Sequence, residues 1–280
     1  MTMKYFKYIA LLLLVAVTMG SCDKKDVSYM AEPVDEGQMA YVQVGYYAPI
    51  STATTNNIYF VDINGVEYGN DGAAFFTTYT TVPGGGTNRY YAVPAGSINI
   101  KLHKRESDGN GGFNYPVVYD QSTTIQPGKR YCLYVHDFNQ PPIPIEMSAA
   151  PEFSQGLDTD SVCRVQFVNL LYENGAPITD LVQYGLQDTE TKEYSPVGNA
   201  VAFGEVTEWF MPIIHKTVFN SSGYQRRDVC LYRVDPVTHE IKERLFLDYW
   251  TWYIGRAYRQ IAGGNIGGSP AIQLKQFTVE

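Results

Sequence analysis

Ile98-Asn99-Ile100-Lys101-Leu102-His103 alternates apolar and polar side chains one by one. Successive side chains of an extended chain point to opposite faces, so this stretch reads as a strand with one face in a core and the other in water. Turn residues bracket it. Pro94-Ala95-Gly96 precedes it, Pro127-Gly128 punctuates further on, and Asn64-Gly65 separates the apolar runs 58–63 and 66–68. Asn and Gly both tolerate positive φ, which makes that dipeptide a two-residue hairpin signal. By the same reading, strands are predicted over 40–47, 57–63, 66–68, 74–80, 89–93, 98–103, 115–119 and 130–137. A second group is predicted over 163–170, 181–187, 205–211, 213–219, 227–234, 240–247, 250–257 and 271–279. Past residue 21 no segment longer than two turns carries a 3.6-residue apolar stripe. Short strands at this spacing predict an all-β chain of immunoglobulin-like β-sandwich type.

The two groups of strands flank a break. Residues 138–161 carry four prolines and small polar side chains, and 148–160 reads as a linker. Beyond it the opening phrase of the first unit returns: Val42-Gln43-Val44 followed by Ala48-Pro49-Ile50 recurs as Val165-Gln166-Phe167 followed by Ala176-Pro177-Ile178. Two tandem sandwiches are therefore expected, at 39–147 and 161–280, the second a divergent repeat.

The N-terminus carries different information. Lys4 and Lys7 precede an unbroken apolar run over 9–17, and small residues follow it. A basic start, a short apolar core and small residues before a cut site describe a secretory signal over 1–21. The run falls short of the roughly 20 residues that cross a bilayer. Met19-Gly20-Ser21-Cys22 resembles a lipobox, which implies cleavage before Cys22 and acylation of its thiol, palmitate included. Residues 22–38 are polar and charged, a flexible tether with a reach of roughly 20 Å or more. Asp23-Lys24-Lys25-Asp26 is compatible with the charged signal that sends lipoproteins of Gram-negative gut anaerobes to the outer face. Asp next to the lipid cysteine signals inner-membrane retention in other lineages, so the leaflet stays open.

Loss of Lys4 and Lys7 takes the formal charge from −8 to −10. An acidic exported body argues against nucleic acid as a partner. Cys132, Cys163 and Cys230 allow at most one disulfide, and Cys163, in phase with Val165 and Phe167, reads as a small buried hydrophobe.

The first unit resembles an uncharacterised immunoglobulin-like repeat family found in tandem in bacterial envelope lipoproteins. The matching phrases are Val42-Gln43-Val44 with Ala48-Pro49, the hairpin Ile58–Gly65, Pro94-Ala95-Gly96 leading into Ile98–Leu102, and Ile125-Gln126-Pro127-Gly128-Lys129-Arg130-Tyr131. Coverage is about 41–137. The second unit matches in its opening and lacks the Asn-Gly hairpin and the Pro-Gly-Lys turn. Turns and strands carry the resemblance, so it implies fold and location without an activity.

Chemistry is sparse. There is no G-x-S-x-G, and His103, His136, His215 and His239 lie far apart without H-x-x-x-H or C-x-x-C partners. No metal or cofactor is expected. Gly84-Gly85-Gly86, 109–112 and 263–268 lack the following Lys-Ser/Thr of a phosphate cradle and read as loops at the sandwich ends. Tyr249-Trp250-Thr251-Trp252-Tyr253 places Trp250 and Trp252 on one strand face. Either the pair is a stacking platform for sugar rings, or one face of the run packs in the core and the other borders a sheet edge or domain contact, and the second reading is favoured. Asp160-Ser161-Val162 resembles the O-glycosylation motif of gut-anaerobe lipoproteins, which points to Ser161. The expected function is non-enzymatic: a lipid-anchored envelope protein, outer-membrane and surface-exposed, that displays sandwiches for adhesion, assembly or partner binding. The alternative is a carbohydrate-binding accessory lipoprotein of an outer-membrane uptake system. Expected partners are the membrane through the lipid, then envelope proteins or glycans.

Overall fold

The computed structural model describes residues 36–70, 72–83, 89–152, 162–213 and 224–279. Cys22, Ser161, His215 and Gly84-Gly85-Gly86 lie outside them, as does most of the expected linker. The described chain is all-β, and Asp35–Glu280 forms one compact unit.

The first segment contributes β1 (Met39–Tyr46), β2 (Ile58–Ile63), β3 (Val66–Gly69), β4 (Thr80–Val82), β5 (Tyr91–Pro94), β6 (Gly96–Lys104), β7 (Glu106–Ser107), β8 (Phe113–Asn114), β9 (Val117–Ile125), β10 (Arg130–Val135) and β11 (Ile143–Glu146). One sheet runs β3-β2-β6-β9. The other runs β11-β10-β1-β4, with β5 also on β1. The founding stretch behaves as read: Ile98, Ile100 and Leu102 are fully buried on β6. Asn64 and Gly65 take φ of 52° and 83° and close the β2–β3 hairpin.

The second segment contributes β12 (Arg164–Glu173), β13 (Ala176–Pro177), β14 (Leu181–Gln187), β15 (Tyr194–Val201), β16 (Tyr224–Val234), β17 (Ile241–Tyr253), β18 (Ala257–Ile266) and β19 (Gln273–Thr278). Its sheets run β15-β14-β16-β17 and β13-β12-β18-β19. The wiring repeats. In each half the opening strand pairs in parallel with the penultimate one, β1 with β10 and β12 with β18, and the last strand adds antiparallel to that pair. Each half also has a four-stranded antiparallel sheet, β2, β3, β6 and β9 matching β14, β15, β16 and β17, while β7 and β8 form a small hairpin of their own.

Three apolar cores show how the sheets stack. One fills the first sandwich and a second fills the other. The third joins Tyr47, Tyr79, Cys132, Tyr134 and Ile145 of the first half to Val168, Leu170 and Ile261 of the second. The order of layers is thus β2-sheet, β1-sheet, β12-sheet, β14-sheet. Both inner sheets are covered on two faces, which explains the unbroken burial of β12 from Arg164 to Tyr172. A fully buried side chain of Tyr or Leu size contributes about 1.5–3 kcal/mol relative to exposure, so this third core binds the halves firmly. Tyr47 meets Tyr79 and Tyr134 edge-on at centroid distances of 5.9 and 5.4 Å.

Polar groups share this interface. Arg259 is 1% exposed. Its Nε and Nη2 donate to Gln166 Oε1 at 3.1 and 2.7 Å, and Nη1 lies 2.7 Å from Met147 Sδ. His136 Nδ1 lies 2.7 Å from the Tyr172 hydroxyl, and Phe203 packs edge-on against both rings.

Several strand expectations need correction. Residues 240–257 form no pair of strands broken near 248; β17 runs unbroken for 13 residues. Residues 74–80 give an isolated bridge at Phe76 and join β4 only at Thr80, and 205–213 run beside β12 through isolated bridges. The glycines of 263–268 are not all loop: Gly263 and Gly264 lie within buried β18. A Cβ on Gly263 would sit 3.0 Å from the Tyr79 ring and 3.2 Å from Tyr47, so the bare backbone admits the rings of the other half. The second half also has an Asn-Gly turn, Asn174-Gly175 at φ of 51° and 80°, placed between β12 and β13.

Candidate functional site

β17 and β19 are edge strands of the two sheets of the second sandwich. Between them lies an open groove of about 650 Å³, whose walls include Leu247, Asp248, Tyr249, Trp250, Lys275 and Gln276. Strand alternation divides the aromatic run of β17. Trp252 is 0% exposed and belongs to the second core, and Trp250 packs partly buried against the same core. Tyr249 faces the other way and is 51% exposed; Leu247, of the same parity, is 48% exposed. The burial of Trp252 therefore speaks against Trp250 and Trp252 as a sugar-stacking pair, the less favoured reading of this run. A ring enclosed by Tyr258, Leu274 and their neighbours offers no free face.

Gln276 on β19 pins the two edges together. Its Oε1 accepts Trp252 Nε1 at 2.7 Å and Gln260 Nε2 at 2.8 Å, while its Nε2 donates to the Thr251 carbonyl at 3.3 Å. Gln260 Oε1 in turn accepts the Tyr184 hydroxyl. This relay crosses the core from β14 through β18 and β19 to β17.

Two backbone N–H groups of β17 are taken by side chains beside it. Tyr249 N–H donates to Asp248 Oδ1 at 2.8 Å, and Tyr253 N–H donates to the Tyr258 hydroxyl at 2.8 Å. Capped edge groups at these two positions discourage addition of a foreign strand there. Trp250 Nε1 is buried in the groove wall without a hydrogen-bond partner.

At the far end of β16 and β17, Arg233 pairs with Glu173, Asp180 and Glu243 at 2.5, 2.8 and 2.8 Å. Lys242 reaches Asp180 and Asp235 at 2.8 and 3.0 Å. Hydrogen bonds from Arg233 and Lys242 hold the Glu173 and Asp180 carboxyls below their ordinary range. The network ties strands of both sheets and serves the fold.

The remaining chemistry-bearing residues are dispersed. Cys132, Cys163 and Cys230 are buried free thiols. Burial pushes Cys132 and Cys163 up to about 12, which leaves them unreactive near neutrality. His103 Nδ1 lies 3.1 Å from the Tyr115 carbonyl, and His239 sits in a turn at φ 59°. Among the described residues no group of three or more His, Cys, Asp or Glu side chains could hold a metal. No described helix is long and apolar enough to cross a membrane.

No protein family matches the sequence, and no curated protein does either. Similar solved structures include a candidate adhesin from Bacteroides ovatus, 9% identical, covering 86% of this chain and 96% of its own, at a TM-score of 0.21. A candidate cell adhesion protein from Bacteroides fragilis NCTC 9343 is 12% identical, covers 85% and 97%, and has a TM-score of 0.19.

Proposed function

We propose that this chain is a non-enzymatic envelope protein, anchored through a lipid on Cys22, whose double sandwich presents a recognition surface for adhesion or partner binding. One observation supports this reading above the others. The groove beside β17 and β19 carries exposed Tyr249 and Leu247 on a body made rigid by a third core. A scaffold already fixed by packing loses little conformational freedom on contact, which favours binding by the side chains it presents. The lipobox resemblance at 19–22 and the charged tether supply the means of display.

Protease treatment of intact cells, with a periplasmic protein as control, tests the display. Digestion of the body with the control intact is expected; protection of the body sinks the surface reading. Labelled palmitate should enter the wild-type chain and not Cys22→Ala, and equal labelling would remove the anchor.

A further inference from the structure

The outward face of the β15-β14-β16-β17 sheet combines two residue types. Strand register places Tyr194 of β15, Tyr224, Arg226, Asp228 and Tyr232 of β16, and Arg244, Tyr249 and Tyr253 of β17 on that side. Arginines lie over tyrosine rings in a series. Arg226 sits 3.4 Å above the centroid of Tyr249, Arg256 lies 4.6 Å from Tyr253, and Arg244 lies 5.2 Å from Tyr194. Tyr224 and Tyr253 pack at 5.3 Å. Tyr232 lies against the bare backbone of Gly185, where an added Cβ would meet its ring at 2.6 Å.

A guanidinium stacked on a ring keeps its N–H groups in its own plane, free to take a carboxylate or sulfate through two parallel bonds. Arg244 and Arg256 have no carboxylate partner within ion-pair distance among the described residues, and the exposed Arg226 meets Asp228 only at 3.6 Å. The face thus carries three cations against Asp228 on a chain of net charge −8. The charges also form a row. Arg256 stacks beside the Tyr224/Tyr253 pair, Arg226 follows two residues along β16, and Arg244 pairs with Tyr232 six residues beyond Arg226. At about 3.3 Å per residue those backbone positions are roughly 7 and 20 Å apart, and the Arg244 guanidinium leans from its position toward Tyr194. Such a row fits a linear ligand with repeated negative groups, and the intervening tyrosines supply flat apolar surface for rings between them.

We propose that this face binds an acidic polysaccharide, with Arg226, Arg244 and Arg256 on its carboxylates or sulfates and Tyr249 against a sugar ring. The proposal rests on the recognition reading above and deepens it, placing the ligand on the face that Tyr249 presents, opposite Trp250 and Trp252.

The test is calorimetric titration of the detergent-solubilised full chain with an oligogalacturonate hexamer, a neutral hexasaccharide and poly-glutamate. Because it does not depend on where the chain is displayed, its failure is distinct from failure of the cell-surface test. The acidic hexamer should bind, weakening as salt is added, and the neutral one should not. Tyr249→Ala should weaken binding about tenfold, equal to about 1.4 kcal/mol. Arg226→Gln with Arg244→Gln and Arg256→Gln should weaken it at least a hundredfold, and an unchanged unfolding midpoint would show that these exposed substitutions leave the fold intact. Absence of binding at millimolar hexamer, or binding indifferent to these substitutions, overturns the proposal. So does poly-glutamate binding as tightly as the hexamer, which would make the partner an acidic polypeptide.

Discussion

Replacing Gln276 with leucine isolates the polar relay that holds the two sheet edges of the second sandwich. Leucine nearly matches glutamine in volume, so the loss is of hydrogen bonds rather than of packing. Two of the groups left behind, Trp252 Nε1 and Gln260 Nε2, belong to residues of 0% exposure. A buried donor stripped of its acceptor costs about 1–3 kcal/mol. The third group, the Thr251 carbonyl, faces the open edge and regains water. Leucine returns under about 1 kcal/mol through apolar burial, since position 276 is half-buried. The expected net destabilisation is about 1–6 kcal/mol, a large share of the roughly 5–15 kcal/mol that holds an ordinary domain together. Urea unfolding of the full chain, followed by tryptophan fluorescence, reads the change as a lower midpoint at constant slope. Gln276→Glu keeps an acceptor for both buried donors and should stay within about 1 kcal/mol of wild type. A leucine variant less than 1 kcal/mol below wild type would refute the relay's role.

Gly263→Ala should destabilise the chain by about 1–3 kcal/mol, the usual cost of overpacking; its Cβ would press on Tyr79 and Tyr47, and thermal unfolding reads the loss. Gln166→Leu strips the buried Arg259 guanidinium of its main acceptor and should cost about 3–5 kcal/mol by denaturant titration, as expected for an uncompensated buried charge. Burial lowers the folded-state pKa of His136 below 6.5, against the pull of Asp137 and the Pro141 carbonyl. The unfolded chain therefore takes up the proton first, so the contribution of neutral His136 is complete above pH 6.5 and falls away below it. Unfolding midpoints at pH 7.5 and 5.5 should differ less in His136→Gln than in wild type. Cys132, Cys163 and Cys230 should ignore a thiol reagent in the native state and react in denaturant, since all three are buried.

How legible this was in the sequence depends on which side of a sheet carried the signal. β6 alternates because one face meets a core and the other meets water, and it was read correctly, as was the β2–β3 hairpin. The inner strands obey another rule. β12 and β18 are buried on both faces, and their polar residues Gln166, Arg259 and Gln260 find partners inside. Those partners lie 93 or 16 residues away, out of reach of local periodicity. β18 was also disguised by its glycines, and β15 by Pro196 and Gly198. In β17 the alternation of Tyr249 to Tyr253 was visible, but aromatic side chains on both faces hid which one turns inward. The Tyr–Arg stacks join strands distant in sequence, Arg226 to Tyr249 and Arg244 to Tyr194, so register had to be known before they could be found.

The position of β1 bears on how the molecule would take a pull. Residues leading into the body enter at Met39, the start of a strand flanked by parallel β10 on one side and by β4 and β5 on the other. A pull at Met39 directed along the strand acts parallel to β1. It loads the ladder from Tyr41–Arg130 to Tyr46–Val135 all at once, in shear, instead of opening it one rung at a time. An edge strand drawn sideways would unzip; this one has to slide as a unit out of the middle of its sheet.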